Sequence, residues 1–172
     1  MRAQRGFTLL ELVVVITMIL IMAGFFMSRV PYYQAQAEKA SVEQVASALQ
    51  SALVMRYGTL MARGAANEQE LDKLANDNPM NWLQQKPSNY AGEYYDPTPG
   101  TVAPGRWMFD LKSRDLIYVV DHGDYFTPDK AGMKWIRFHV RLGYDQTLGR
   151  AGSRKELTTT LFEPTEPYHW LD

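Results

Sequence analysis

Two hydrophobic patterns of different period lie end to end at the start of this chain. From Phe7 to Met27 there are 21 residues, and only Thr8, Glu11 and Thr17 are polar. About 20 mostly apolar residues at a rise of about 1.5 Å each cross the hydrocarbon of a bilayer, so the stretch predicts a membrane-spanning helix over 7–27. Its run Val13, Val14, Val15, Ile16 suits lipid, where every backbone donor must be satisfied within the segment. Beyond Met27 the pattern becomes amphipathic. Val42, Val45, Leu49, Leu53 and Tyr57 recur at three- and four-residue spacing with Ala52 beside them, while Glu43, Ser47, Gln50 and Ser51 take the opposite face. This predicts a helix over 28–57, kinked near Pro31 and stopped by Gly58. Joined to the apolar segment it makes about 50 residues, or about 75 Å of helix.

From 58 to 105 the pattern breaks up. Asn67 and Glu70 have the spacing of a helix cap, with Leu71 and Leu74 giving a short helix one apolar face. Asn78-Pro79 is a second cap, followed by Trp82 and Leu83. Pro87, Pro97, Pro99 and Pro104 then mark an irregular loop whose Tyr90, Tyr94 and Tyr95 are expected to pin it to the body. Between 106 and 172 the period falls to two. Trp107–Leu111 and Leu116–Val120 read as a hairpin across Lys112-Ser113-Arg114-Asp115. Lys134–Leu142 places Ile136, Phe138, Val140 and Leu142 on one face and Trp135, Arg137, His139 and Arg141 on the other, and Leu157–Phe162 is a weaker fourth strand. The fold class expected is α+β: a long N-terminal helix, then three or four antiparallel strands packed on its amphipathic half.

At 172 residues the chain supports one modest body beyond the apolar segment. Eighteen basic and nineteen acidic residues give no global attraction to nucleic acid or anionic lipid. With no cysteine there is no disulfide, thiolate nucleophile or cysteine metal site. Arg2 and Arg5 precede the apolar run and keep that end cytoplasmic, placing the body across the membrane. Ala23-Gly24 offers small residues for an ordinary signal peptidase, but Phe25, Phe26 and Met27 continue the apolar run past it. Glu11 is the anomaly, because a carboxylate inside a spanning segment is costly and normally has a partner and a task.

Arg5-Gly6-Phe7-Thr8-Leu9-Leu10-Glu11 and the apolar run behind it resemble the N-terminal signal of type IV pilins and type II secretion pseudopilins. The resemblance implies a pilin-like fold. It implies that a prepilin peptidase cuts between Gly6 and Phe7 and methylates the new amine of Phe7, which moves the formal charge from −1 to −3 by removing two arginines. It assigns assembly to Glu11. The partners it implies are the peptidase, other pilin or pseudopilin subunits, membrane lipid, and an inner-membrane assembly platform with its motor. Many major pilins close a C-terminal loop with a disulfide, so the lack of cysteine favours a minor pilin or pseudopilin. The expected location is the inner membrane, crossed once with the body periplasmic, and then the filament. Cofactors are not expected.

Three other groupings offer candidate chemistry. Trp135, Arg137, His139 and Arg141 could stack and bind phosphate, which would make the protein a membrane-tethered adhesin or DNA receptor. The plainer reading is a solvated sheet face with a cation–π contact. Asp121, Asp124 and Asp129 could offer oxygen to calcium, but their spacing fits no calcium loop and suits turns. His122, His139 and His169 lack metal-ligand spacing, and no nucleophile-elbow motif supports an enzyme.

Overall fold

The computed structural model describes residues 7–129, 132–147 and 154–171, with side chains described for 7–129, 132–143 and 160–171. Two helices run in series, α1 at Leu9–Met27 and α2 at Val30–Ala62, followed by α3 at Glu68–Asn76. Five strands follow: β1 at Tyr90–Tyr94, β2 at Arg106–Asp110, β3 at Leu116–Val119, β4 at Trp135–Thr147 and β5 at Arg154–Pro164. They form one sheet in sequence order, antiparallel from β2 onward, with β1 parallel to β2. The arrangement is the α+β, pilin-like one expected.

The junction of α1 and α2 follows from Pro31, which has no N–H and crowds the carbonyl four residues before it. Ser28 Oγ donates to the Phe25 carbonyl at 2.8 Å, and the Arg29 N–H reaches Phe26 at 3.0 Å. The chain thus stays helical through a single tightened turn, and 9–62 spans 54 residues, about 80 Å. Gly58 does not stop α2, contrary to expectation. One interior glycine costs only about 0.5–1 kcal/mol relative to alanine. The stop comes at Gly64 with φ +65°, where the Gly64 N–H bonds Met61 and the Ala65 N–H bonds Leu60.

The predicted stripe of α2 is the core. Val42, Leu49 and Leu53 are buried against Trp107, Phe109, Tyr118, Ile136, Phe138, Val140 and Phe162. The Phe138 and Phe162 rings stack at 5.2 Å, and Trp107 meets Tyr118 at 4.9 Å. Gln50 departs from the solvent face assigned to it. Its Nε2 donates to the Thr160 carbonyl at 3.0 Å and its Oε1 accepts the Phe162 N–H at 2.6 Å. An edge strand exposes such groups and a side-chain amide, being both donor and acceptor, can satisfy both. A polar residue beside the stripe therefore marks where the helix meets the edge of β5.

Two further differences concern the sheet. The loop expected near Tyr90 contains β1, a short bulged strand with Gly92 at φ +118°. Buried Asn78 holds it, its amide donating to Tyr90 Oη and Glu93 Oε1 at 2.7 Å each. Tyr95, expected to pin the loop, is exposed. The second face of the sheet is also covered: Val102, Met108, Ile117 and Trp135 form a smaller cluster beneath the loop before β2. This is why Trp107-Met108-Phe109 and Leu116-Ile117-Tyr118 are unbroken apolar runs.

Glu38 ties α2 to the end of β3. Its buried carboxylate accepts the Tyr118 hydroxyl at 2.9 Å and the N–H groups of Asp121 and His122 at 2.7 Å each, with His122 Nδ1 at 3.0 Å. The next residue holds the chain's far end, Lys39 Nζ donating to the Trp170 carbonyl at 2.8 Å. Trp170 is buried and bridges to Phe126.

Two outcomes test this packing. All four tryptophans lie in the body, so their fluorescence follows its unfolding in the full-length protein. Leu49→Ala should lower the unfolding free energy by about 2–5 kcal/mol, and an unchanged midpoint would refute the packing. The Tyr118 hydroxyl is pushed above 10.0 by burial first, then by the hydrogen bond and charge of Glu38. A group whose native value is raised contributes fully below its unfolded value, and the contribution is lost as pH climbs through the native one. Above pH 10 the phenol should therefore add up to about 1.4 kcal/mol per pH unit to the fall in stability. Tyr118→Phe should lose that component, and an identical alkaline slope would remove Tyr118 from the account.

Candidate functional site

The three polar residues of the apolar segment have different fates, and the differences define the site. Thr8 is the N-cap of α1, in extended conformation at φ −79° and ψ 150°, and its Oγ1 accepts the Glu11 N–H at 3.3 Å. Thr17 turns its hydroxyl back to the Val13 carbonyl at 2.8 Å, which satisfies it without leaving the helix. Thr17 can thus enter hydrocarbon with its hydroxyl proton bonded, while Thr8 serves as an acceptor at the helix start.

The Glu11 carboxylate has no hydrogen-bond or ion-pair partner among the described residues. Thr8-Leu9-Leu10-Glu11 has the spacing of a capping box, in which the acidic side chain would reach back to the cap N–H. Only the threonine half is made. This spacing was legible in the sequence, and it accounts for where α1 begins. Phe7 and Glu11 are four residues apart, yet they do not share one helix face. Phe7 precedes the extended cap residue and lies outside α1, so the four-residue helical offset does not apply to it here. The first-turn position of Glu11 suits the positive end of the helix dipole.

No residue of α1 is buried. Leu9, Leu10, Met18, Leu20, Phe25 and Phe26 are each at least 65% exposed, so the body covers none of this helix. A bare apolar cylinder of 19 residues is stable only in lipid or against other apolar helices.

The strand-face candidates are not gathered into one site. Trp135 is buried in the smaller cluster, with the Arg137 guanidinium 5.0 Å from its ring centre. His139 Nδ1 lies 3.0 Å from Asp115, and Arg141 pairs with Glu163 at 2.9 Å. Only Trp135 and Arg137 line a cleft, of about 310 Å³, between the loop after Phe126 and the chain around Tyr168. Among the described residues, Asp121, Asp124 and Asp129 form no group of three or more His, Asp or Glu side chains able to hold an ion. Asp121 lies 3.8 Å from His122, and Asp129 accepts the Met133 N–H at 2.8 Å.

Residues 1–27 match the family model for the prokaryotic N-terminal methylation motif. No curated protein and no solved structure matches the chain. The motif is the prepilin-type signal, and the helix of 54 residues behind it leads into a mostly antiparallel sheet. The chain therefore carries a prepilin-type N-terminal signal ahead of an α+β body of pilin-like arrangement.

Proposed function

We propose that the chain is a minor pilin or pseudopilin, a filament subunit that works mechanically through its N-terminal helix. The observation that carries this reading is one carboxylate, Glu11, without a partner among the described residues, on an unburied apolar helix within the methylation motif. The precursor lies in the inner membrane with Arg2 and Arg5 cytoplasmic and its body periplasmic. Prepilin peptidase cuts between Gly6 and Phe7 and methylates Phe7, leaving an amine that is still positive. A platform and motor then draw the subunit out of the membrane into the filament, where α1 packs among its neighbours and the sheet faces outward.

In hydrocarbon an unpaired carboxylate is costly, and a partner of opposite charge offsets much of the cost. The Phe7 amine of a neighbouring subunit is that partner. It attracts an incoming subunit and sets its axial register. The extended Thr8 between Phe7 and α1 favours the neighbour's amine over the subunit's own.

Two variants separate processing from assembly. A peptidase that approaches the backbone closely at the residue before the cut needs glycine there. Gly6→Val should leave full-length precursor in the membrane, read by intact mass. A wild-type protein that keeps Met1, or a mature terminus elsewhere than Phe7, would refute the processing. Glu11→Val removes the lone charge, so the cleaved subunit should persist in the membrane at normal abundance yet fail to enter sheared filaments. Normal incorporation of that variant would end the pairing mechanism.

A further inference from the structure

A cleft of about 510 Å³ opens where the far end of α2 meets α3 and the β2–β3 turn. Arg56 enters it from α2, Arg63 from the C-cap of α2, and Arg114 from the turn. None of these three guanidiniums has a hydrogen-bond or ion-pair partner among the described residues. The other charges in the cleft are already engaged. Lys73 pairs with Glu70 at 2.6 Å, and Asp77 accepts the Asn78 N–H and Trp82 Nε1 at 2.8 Å each. With Lys73 and Glu70 cancelling, three arginines against Asp77 leave the lining with a formal charge of +2.

Arg56 and Arg63 are seven residues apart, which puts them on one helix face with their stems about 10 Å apart along the axis. Thr59 and Leu60 lie between them, and Leu74 adds apolar lining. Cations near a helix C-terminus are favoured by its dipole, and that alone would explain two of the three. It does not explain Arg114, which comes from another element. Arg114 has φ +62°, a left-handed conformation that glycine adopts freely and arginine does not. The turn beneath it is rigid. Asp110 Oδ1 accepts the Lys112 N–H at 2.9 Å, Asp110 Oδ2 accepts Ser113 Oγ at 2.8 Å, and the Asp110 carbonyl accepts the Arg114 N–H at 2.9 Å. These bonds hold the backbone of Arg114 without using its guanidinium, which stays available at the edge of the cleft.

We propose that this cleft binds a small extended phosphate-bearing anion, with Arg56 and Arg63 gripping successive phosphate groups and Arg114 closing over them. Guanidinium forks match phosphate oxygens in pairs, and a phosphate group carries enough charge to answer more than one of them. The site lies about 39 Å along α2 from its start at Val30, too far for headgroups of a bilayer around α1 to fill it. It is separate from Glu11.

The test uses the full-length protein in nanodiscs of zwitterionic lipid, titrated calorimetrically with sodium tripolyphosphate at low salt. Wild type should bind at one site, with affinity falling as salt rises. Arg56→Gln and Arg114→Gly should each weaken binding at least about tenfold, while Arg106→Gln, which removes an exposed charge elsewhere, should not. Arg114→Gly also relieves the backbone, so its unfolding midpoint should be no lower than wild type and its loss of binding cannot come from unfolding. No binding by wild type, or equal loss in Arg106→Gln, would overturn the site. Binding of a short oligothymidylate without binding of tripolyphosphate would overturn the small-ligand assignment in favour of nucleic acid.

Discussion

A helix in hydrocarbon must satisfy every polar group from within, and one side chain of α1, Glu11, has no partner among the described residues. The cap at Thr8 answers a free N–H at the start of the helix, and Thr17 bonds back to it. Continuity through the Ser28–Arg29 turn matters for the same reason. A sharp break there would expose backbone donors and acceptors near the membrane boundary, whereas the tightened turn keeps them bonded. The apolar half and the body can thus share one axis although their surroundings differ.

The body is built on the second half of that axis. α2 supplies a buried stripe to the sheet, an amide to the edge of β5 and a carboxylate to the end of β3. These contacts differ in kind, and together they fix the helix in three respects. The stripe sets its rotation, Gln50 sets its position along β5, and Glu38 fixes its near end against the turn at Asp121. Replacing any one by generic burial would leave the helix freer to slide or roll.

Much of this was legible because period and chemistry agreed. The α2 stripe and the alternation in β4 gave the core, and Asn67 and Asn78 gave the starts of two helical turns. What escaped did so for physical reasons. β1 is a half-buried edge strand with a bulge, so it lacks strict alternation, and its parallel pairing has no local turn to announce it. The second apolar cluster was encoded in the unbroken runs of β2 and β3, which a one-sided sheet does not require. Gly58 looked like a stop because a glycine's meaning depends on the residues after it, and only Gly64 has the following bonds of a helix terminator. In the N-terminal site, the unpaired state of Glu11 could not be read from spacing, since a capping box would have occupied it.

The hold of Lys39 on Trp170 joins residues 131 positions apart, and it bears on the order in which this chain acquires its shape. Synthesis runs from the N-terminus, so α2 is made early and its partners in β4, β5 and the final segment are made late. Until residue 170 is added, Lys39 lacks its acceptor and the stripe of α2 lacks much of its cover. Contacts of such sequence separation form slowly, and the growing chain presents Val42, Leu49 and Leu53 to water while it waits. The interval before the last residues arrive is therefore when this chain is most exposed to proteolysis and to wrong association with its own kind.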